Sequence, residues 1–246
     1  YLIGLGTWQS RPRGKSSSTL HLRGLDSRIS GLIEAAQPSL DFDAFEWLRQ
    51  SALADAVAWD REFGQVRDVS RLGVERNLFR YRPQSVVIRA TADAPLQELL
   101  RVVIAALRAG AGFVLSVPAG LPAAVRRELG DAGALVAVES DGEWIERMAA
   151  RADATEVEAG ASESVDPAAR ALADVRRVRL VGGREQVATL HGDLARATGG
   201  DPDLAVYDGE VTSAGRIELL PFVHEQSITI TAHRFGNPDT WSEQVI

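Results

Sequence analysis

The chain has 246 residues, a formal net charge of −7 and no cysteine, with 45% hydrophobic and 25% charged residues. These values are ordinary for a globular protein of one large or two small domains, and they argue against wholesale disorder. The acidic balance disfavours a nucleic-acid-binding domain, while the lack of cysteine excludes disulfides, zinc–thiolate sites, iron–sulfur clusters and a cysteine nucleophile.

The beginning of the chain indicates a piece of something longer. No apolar run approaches the roughly 18 residues that a membrane span needs, and no basic leader of the secretory type precedes the first residues. The only methionine is Met148, so the sequence lacks an initiator methionine. We therefore expect a cytoplasmic fragment of a larger protein.

The first 83 residues are predicted to be a linker followed by a helical segment. Residues 1–39 are punctuated by glycine, proline and serine, which is typical of a linker and extended segment. Apolar residues then recur at spacings of three and four over residues 43–63, which predicts an amphipathic helix. Asp41 or Asp43 is the expected N-cap of that helix, and Gly64 is its expected end.

Residues 84–207 alternate between short apolar runs and helical patterns. The predicted strands are residues 85–88, 113–117, 135–138, 178–181 and 204–207. The predicted helices are residues 93–109, 121–129, 142–152 and 184–197. Strands that return through helices pair in parallel with right-handed crossovers, so the pattern predicts an α/β fold with a Rossmann-like parallel sheet. Residues 153–166 are acidic and rich in alanine, serine and glycine, and are predicted to be a loose excursion.

The last segment, residues 208–246, has a different pattern. Residues 210–220 suggest a β-hairpin, and residues 227–231 alternate like a half-exposed strand. Such strands commonly pair with a partner chain, because unpaired ladder groups are a template for further strands.

A dinucleotide site is the first function to test on a Rossmann-like sheet. Its fingerprint needs glycines directly after a strand, and the loop after residues 85–88 contains none. Gly182 and Gly183, followed by Arg184, follow a strand and could hold an anion at a helix start, but an ordinary tight turn is the favoured interpretation.

Other catalytic patterns are absent from the sequence. There is no phosphate-binding loop before the only lysine, Lys15, and no serine framed by glycines as a nucleophile elbow. The four histidines lack metal-ligand spacing. His191 is predicted to lie on a solvated helix face, while His224 and His233 are predicted to make polar contacts at an interface. The sequence therefore predicts no catalytic, cofactor-binding or metal-binding residue in this chain.

Two segments resemble the C-terminal region of the bacterial proline utilization A family. They are residues 73–83 (GVERNLFRYRP) and residues 219–236 (LLPFVHEQSITITAHRFG). The opening residues 1–6 (YLIGLG) resemble the exit from the aldehyde dehydrogenase core of that family. In order and spacing the resemblance extends over essentially the whole chain.

This resemblance implies a division of labour. Members of the family oxidise proline with FAD and then oxidise L-glutamate γ-semialdehyde to glutamate with NAD, and the intermediate passes through an internal channel. Longer members carry a C-terminal domain that resembles an aldehyde dehydrogenase Rossmann domain without its catalysis. Aldehyde oxidation by this route needs a cysteine thiolate, which this chain lacks, so no cofactor is expected to bind here.

The resemblance assigns three regions to the chain. Residues 1–83 correspond to the exit from the dehydrogenase core, a linker and a helical segment; residues 84–207 to the non-catalytic Rossmann-like domain; and residues 208–246 to a hairpin and a terminal lid. The lid would seal the dehydrogenase site and the channel, on the same chain or on a neighbouring protomer of a homo-oligomer. The predicted lid and interface residues are Phe222, His224, Glu225, Gln226, Ile228, Ile230, His233, Arg234 and Phe235.

Two alternatives stay open from the sequence. One is a free-standing module that binds a nucleotide through its sheet edge or through the Gly182–Gly183 turn. The other is a purely structural oligomerisation domain.

Overall fold

The structure is a computed structural model that describes residues 25–68, 70–72, 75–154 and 175–231, together with the backbone of 233–234 and 237–238. In this part of the chain the helices are α1 (Ser27–Ala36), α2 (Phe42–Ala58), α3 (Leu96–Ala109), α4 (Ala123–Asp131), α5 (Asp141–Ala154), α6 (Arg184–Ala197) and α7 (Gly215–Glu218). The strands are β1 (Arg67–Asp68), β2 (Glu75–Pro83), β3 (Val86–Ala90), β4 (Phe113–Val117), β5 (Leu135–Val138), β6 (Arg177–Val181), β7 (Ala205–Tyr207), β8 (Val223–Thr231), β9 (His233–Arg234) and β10 (Asn237–Pro238).

Five strands form a parallel sheet in the order β5-β4-β3-β6-β7. The apolar runs of the three central strands β3, β4 and β6 are buried on both faces, as is typical of a parallel sheet covered by helices on each side, while the edge strands β5 and β7 are partly exposed. The predicted α/β fold with a Rossmann-like sheet is confirmed. The predicted bounds of β4, β5 and α6 agree with the structure.

Each face of this sheet has its own apolar core. On one face, α1, α2, α3 and α4 pack on side chains such as Ile88 and Leu115. On the other face, α5 and α6 pack on side chains such as Val87 and Val178, with Trp144 fully buried between them. Because successive strand residues point to opposite faces, one run of apolar residues supplies both cores. The two helices before residue 83 thus share a core with the predicted Rossmann-like domain.

A second sheet is antiparallel, with the order β1-β2-β8. Strands β2 and β8 pair along their whole length, from Glu75 opposite Thr231 to Pro83 opposite Val223. We call this pair of strands the arm. On the β2 side, the Tyr81 ring lies 4.7 Å from the ring of Phe63, which ends the π-helical extension of α2.

The structure corrects two sequence expectations. Residues 27–36 are a helix and not part of an extended linker, because Asp26 caps the first turn and the side chains of Ile29, Leu32 and Ile33 are buried. Residues 210–220 do not form a hairpin, since Gly215–Glu218 is a one-turn helix packed against α2. A Cβ at Gly215 would lie 2.5 Å from the carbonyl oxygen of Ala54, so this helix approaches α2 more closely than any other residue would allow.

Further differences concern two strands and the predicted excursion. The last predicted strand begins at Val223 and not at residue 227. Residues 75–83, for which the sequence pattern predicted no element, form β2. Residues 153–154 of the predicted excursion belong to α5, and residues 155–166 lie outside the described residues. No helix in the described part of the chain is both long enough and apolar enough to cross a membrane.

Candidate functional site

The carboxyl ends of β3 and β6 are the place where a sheet of this topology would bind a ligand. These strands are neighbours, and the chain leaves β3 towards β4 on one side and later returns to β6 on the other. Such a reversal of strand order opens a crevice at the carboxyl ends of the strands. The two loops that border this crevice are residues 91–95 and residues 182–183.

The Asp93 side chain closes the crevice at the start of α6. Its Oδ1 accepts hydrogen bonds from the Thr91 hydroxyl at 2.6 Å and from the backbone N–H of Gly183 at 3.0 Å. These two hydrogen bonds, the hydroxyl one first, lower the pKa of Asp93 below its usual range. A carboxylate of the chain itself therefore takes the backbone donor that a phosphate would use at a helix start.

The two glycines of this turn are needed for the same closure. Gly182 has a φ of +149°, and a Cβ there would lie 1.7 Å from the Thr91 hydroxyl oxygen. A Cβ at Gly183 would lie 2.1 Å from an Asp93 carboxylate oxygen. Their lack of a side chain thus admits Asp93 and Thr91.

The remaining charges around the turn are also acidic or already paired. Arg184, which the sequence offered as an anion ligand, forms an exposed ion pair with Glu210 at 2.6 Å. Glu98 lies in the first turn of α3, and burial raises the pKa of its carboxyl group. A shallow cleft of about 300 Å³ beside α6 is lined by Asp141, Glu185 and Asp193, together with Gln186, Thr189 and Leu190. The negative charge of these carboxylates opposes the binding of a pyrophosphate, which is also negatively charged.

A buried charge network lies further along the same end of the sheet. Arg89 is fully buried, and its guanidinium donates to Ser116 Oγ at 2.8 Å and to Asp141 Oδ1 at 2.6 Å. Glu139 accepts from both Ser116 and Arg147. Each cation in the network is matched by a carboxylate, of which Asp141 is exposed, and the network joins β3, β4 and α5.

Two buried ion pairs hold the connection between β7 and β8. Arg101 binds Asp55 in a bidentate pair at 2.6 and 2.7 Å, and also donates to the carbonyl oxygen of Thr212 at 3.0 Å. Arg179 donates to Glu218 at 2.8 Å, while the other Glu218 oxygen accepts from the Thr212 N–H at 3.1 Å. Burial raises the pKa of Asp55 to about 6, against the opposing effect of Arg101.

The structure divides the predicted lid residues into separate groups. Phe222 is fully buried in the core and so anchors the arm. Glu225 is exposed on one face of β8. The residues on the opposite, half-buried face of β8 are His224, Gln226, Ile228 and Ile230.

Two residues of that face have notable polar groups. Gln226 accepts a hydrogen bond from Arg80 Nε on β2 at 2.7 Å. His224 Nδ1 is buried and has no hydrogen-bond partner among the residues that the structure describes. His233 and Arg234 form the two-residue strand β9, their side chains are not described, and Phe235 lies outside the described residues.

Sequence reasoning missed the residues that close the crevice and hold the connection. Asp93, the first residue of the predicted helix 93–109, lies before α3, which begins after Pro95, and its side chain instead accepts a hydrogen bond from the loop that follows β6. The signal for the connection was present in β6, where Arg179 stands between apolar residues of a buried strand. A charged residue in such a strand requires a buried partner, although its distance along the chain gives no indication of which residue it is.

Comparisons with known proteins give similarities to solved structures only. No protein-family model and no curated protein matches the sequence. The proline utilization A structure from Corynebacterium freiburgense is 23% identical, with a TM-score of 0.49 over 94% of this chain and 16% of its own. A variant of proline utilization A from Bradyrhizobium japonicum is 17% identical, with a TM-score of 0.47 over 74% of this chain and 18% of its own.

A third similar structure is betaine aldehyde dehydrogenase from Staphylococcus aureus in complex with NAD⁺. It is 15% identical, with a TM-score of 0.45 over 77% of this chain and 37% of its own. The chain thus spans less than a fifth of the proline utilization A structures that it matches.

Proposed function

We propose that this chain is the non-catalytic C-terminal module of a bifunctional enzyme that converts proline to glutamate. In this proposal the arm docks on the aldehyde dehydrogenase domain and seals the site and the channel that carry L-glutamate γ-semialdehyde. The two segments that resemble the proline utilization A family are largely those that make up β2 and β8. Segments about 150 residues apart in the chain are thus paired into one projecting element.

The observation that carries the proposal is the edge of β8. In the described part of the chain β8 pairs with β2 on one side only. A strand edge of nine residues presents a row of unpaired backbone groups to which another strand can add. Glu225 and the other exposed side chains of β8 would then face the partner or its rim.

The chemistry assigned to this module is the exclusion of water and the retention of a reactive aldehyde. Oxidation of the aldehyde through a thiohemiacetal needs a cysteine, and the sequence has none. We propose that the catalytic thiol and the NAD and FAD sites belong to other parts of a longer polypeptide. A closed site favours the oxidation step because it keeps bulk water from the intermediate.

The proposed partner is the dehydrogenase domain of the same chain or of a neighbouring protomer in a homo-oligomer. The net charge of −7 gives no support to a nucleic-acid partner. We place the assembly in the cytoplasm, as the sequence predicts.

The arm can be tested by a charge reversal with a matched control. We expect Glu225→Arg, in the longer enzyme that contains this sequence, to lengthen the lag before NADH appears from proline by severalfold, because the reversed charge lies on the exposed face of β8, next to the docking edge. Glu185→Arg makes the same change on an exposed residue of α6 and should leave the lag unchanged. The readouts are the lag itself and the amount of semialdehyde that escapes into solution.

Deletion of residues 223–246 is the stronger form of the same test, because it removes β8 but keeps Leu219 and Phe222 in the core. The deletion should lengthen the lag further, while proline oxidation alone continues at its normal rate. An enzyme that lacks these residues and shows an unchanged lag and no escape of semialdehyde would refute the sealing role.

The nucleotide-binding alternative makes a different prediction for the chain alone. Because Asp93 holds the N–H of Gly183, we expect calorimetric titration of the chain with NAD to give no binding heat at millimolar concentration. Saturable heat that is lost in Gly183→Ala would instead establish a nucleotide site at this turn. An oligomerisation role would appear as a change of particle size, by solution scattering, when the whole of this chain is removed from the longer enzyme.

A further inference from the structure

The root of the arm is the point where β8 leaves the core. The chain passes from α7 through the short 3-10 turn Leu220–Phe222 directly into β8. Carbonyl groups at the end of a short helix have no partner inside it. They therefore need donors from elsewhere in the fold.

Arg177, the first residue of β6, supplies those donors. Its Nη1 donates to the carbonyl oxygens of Val223 at 2.7 Å, Pro221 at 2.9 Å and Leu220 at 3.2 Å. The guanidinium group also lies 5.9 Å from the centre of the Tyr207 ring on β7. Nη1 of Arg177 thus contacts two carbonyl oxygens of the 3-10 turn before β8 and the carbonyl oxygen of the first residue of β8.

The other contacts of the connection stop short of the arm. Arg101 and Arg179 hold Thr212 and Glu218, which lie before the 3-10 turn. On the opposite strand, the N–H of Gln84 donates to the carbonyl oxygen of Phe222 at 2.9 Å. Among the described residues, Arg177 thus provides the side-chain hydrogen bond from the parallel sheet to the first residue of β8.

We propose that Arg177 is a positioning residue that sets the direction in which the arm leaves the body of the protein. Without the Arg177 side chain, the ladder between β2 and β8 stays intact, but the arm adopts a wider range of orientations relative to the parallel sheet. This inference goes beyond the proposed docking role, since it concerns the arm of this chain with or without a partner.

The absence of cysteine from the sequence allows a direct measurement of the arm's orientation. Ser227→Cys on β8 and Ala188→Cys on α6 place two spin labels at exposed positions, one on the arm and one on the body. We expect one narrow distance distribution in the labelled parent chain. In Arg177→Gln the distribution should become at least twice as wide.

The conservative variant separates a hydrogen-bonding role from a packing role. Since a single nitrogen contacts all three carbonyls, the ammonium group of Arg177→Lys, with three donors, should restore much of the narrow distribution. Arg176→Gln is the matched control. Arg176 is the neighbour of Arg177, and its exposed side chain forms a 3.6 Å ion pair with Asp203. It should leave the distribution unchanged.

Amide hydrogen exchange distinguishes a loosened root from general destabilisation. In Arg177→Gln, exchange at residues 219–224 should rise on the order of tenfold, as expected for the loss of charge-assisted hydrogen bonds. Exchange in β3 and β4 should stay within twofold of the parent. An unchanged distance distribution in Arg177→Gln would overturn the inference, and so would equal increases in exchange throughout the parallel sheet.

Discussion

At the scale of single residues, Asp93 shows how a side chain of the protein itself can occupy a glycine turn at the end of a parallel strand. In many sheets of this class a glycine-rich turn brings backbone N–H groups to a phosphate. Here the glycine turn is present, but the N–H of Gly183 donates to the carboxylate of Asp93. The N–H of Thr91, two residues before Asp93, donates to the carbonyl oxygen of Val181 on β6. The closure joins β3 to β6 and stabilises the junction of the two halves of the sheet.

A pH-dependent stability follows from this residue. The pKa of Asp93 is lowered below 3.8 in the folded chain, so folding favours the ionised carboxylate. The stability that it contributes is therefore complete above the unfolded value of 3.8 and is lost as the pH falls through the folded value. We expect Asp93→Asn to lower the Tm by a few degrees at pH 7, with a difference that shrinks below pH 3.8.

Thermal unfolding of the two chains from pH 3 to pH 7 measures this difference. Asp131→Asn removes the same charge from an exposed position at the end of α4, so it corrects for the change in net charge. A Tm difference that stays constant over this pH range would show that the ionised carboxylate does not stabilise the junction.

At the scale of elements, the parallel sheet could be predicted because its signals are local. The apolar runs of β4 and β5 and the periodicity of α6 are complete within each segment. The one-turn helix α7 could not be predicted in this way. It forms because Gly215 allows a backbone contact with Ala54, about 160 residues earlier in the chain.

The strands of the arm show the same limit. The alternation in residues 227–231 was visible, but β2 carries charged residues on a half-buried strand and has no clear alternation of its own. β2 forms a strand because it pairs with β8, and the register of that pairing cannot be predicted from either segment alone. For the same reason the candidate site was predicted only in part: the exposed position of Glu225 follows from the alternation, whereas the burial of Phe222 does not.

At the scale of the whole molecule, buried ion pairs join layers that apolar contacts alone would leave free to slide. Asp55 on α2 and Arg101 on α3 are both fully buried. Arg101 also binds the connection at Thr212, and Glu218 ties the same connection to Arg179 on β6. The helical layer, the parallel sheet and the connection that precedes the arm are thus linked by one set of charges.

This arrangement predicts that the stability of the chain depends strongly on whether both members of the Asp55–Arg101 pair are present. A buried charge without its partner is costly, so Arg101→Met should lower the free energy of unfolding by about 3–5 kcal/mol. Asp55→Leu combined with Arg101→Met should cost at least about 2 kcal/mol less than the single change, because it leaves no buried charge. The loss of the Arg101 donor to Thr212 keeps the double variant below the parent chain in stability.

Urea unfolding at neutral pH measures these free energies, and Arg126→Met on the exposed face of α4 is the control for removal of an arginine. If the layers are joined as the structure indicates, tryptophan fluorescence and circular dichroism will follow one transition in all of these chains. The two residues would not be coupled if the double variant lost as much free energy of unfolding as Asp55→Leu and Arg101→Met lose in sum. The linkage of the layers would then have to come from their apolar contacts.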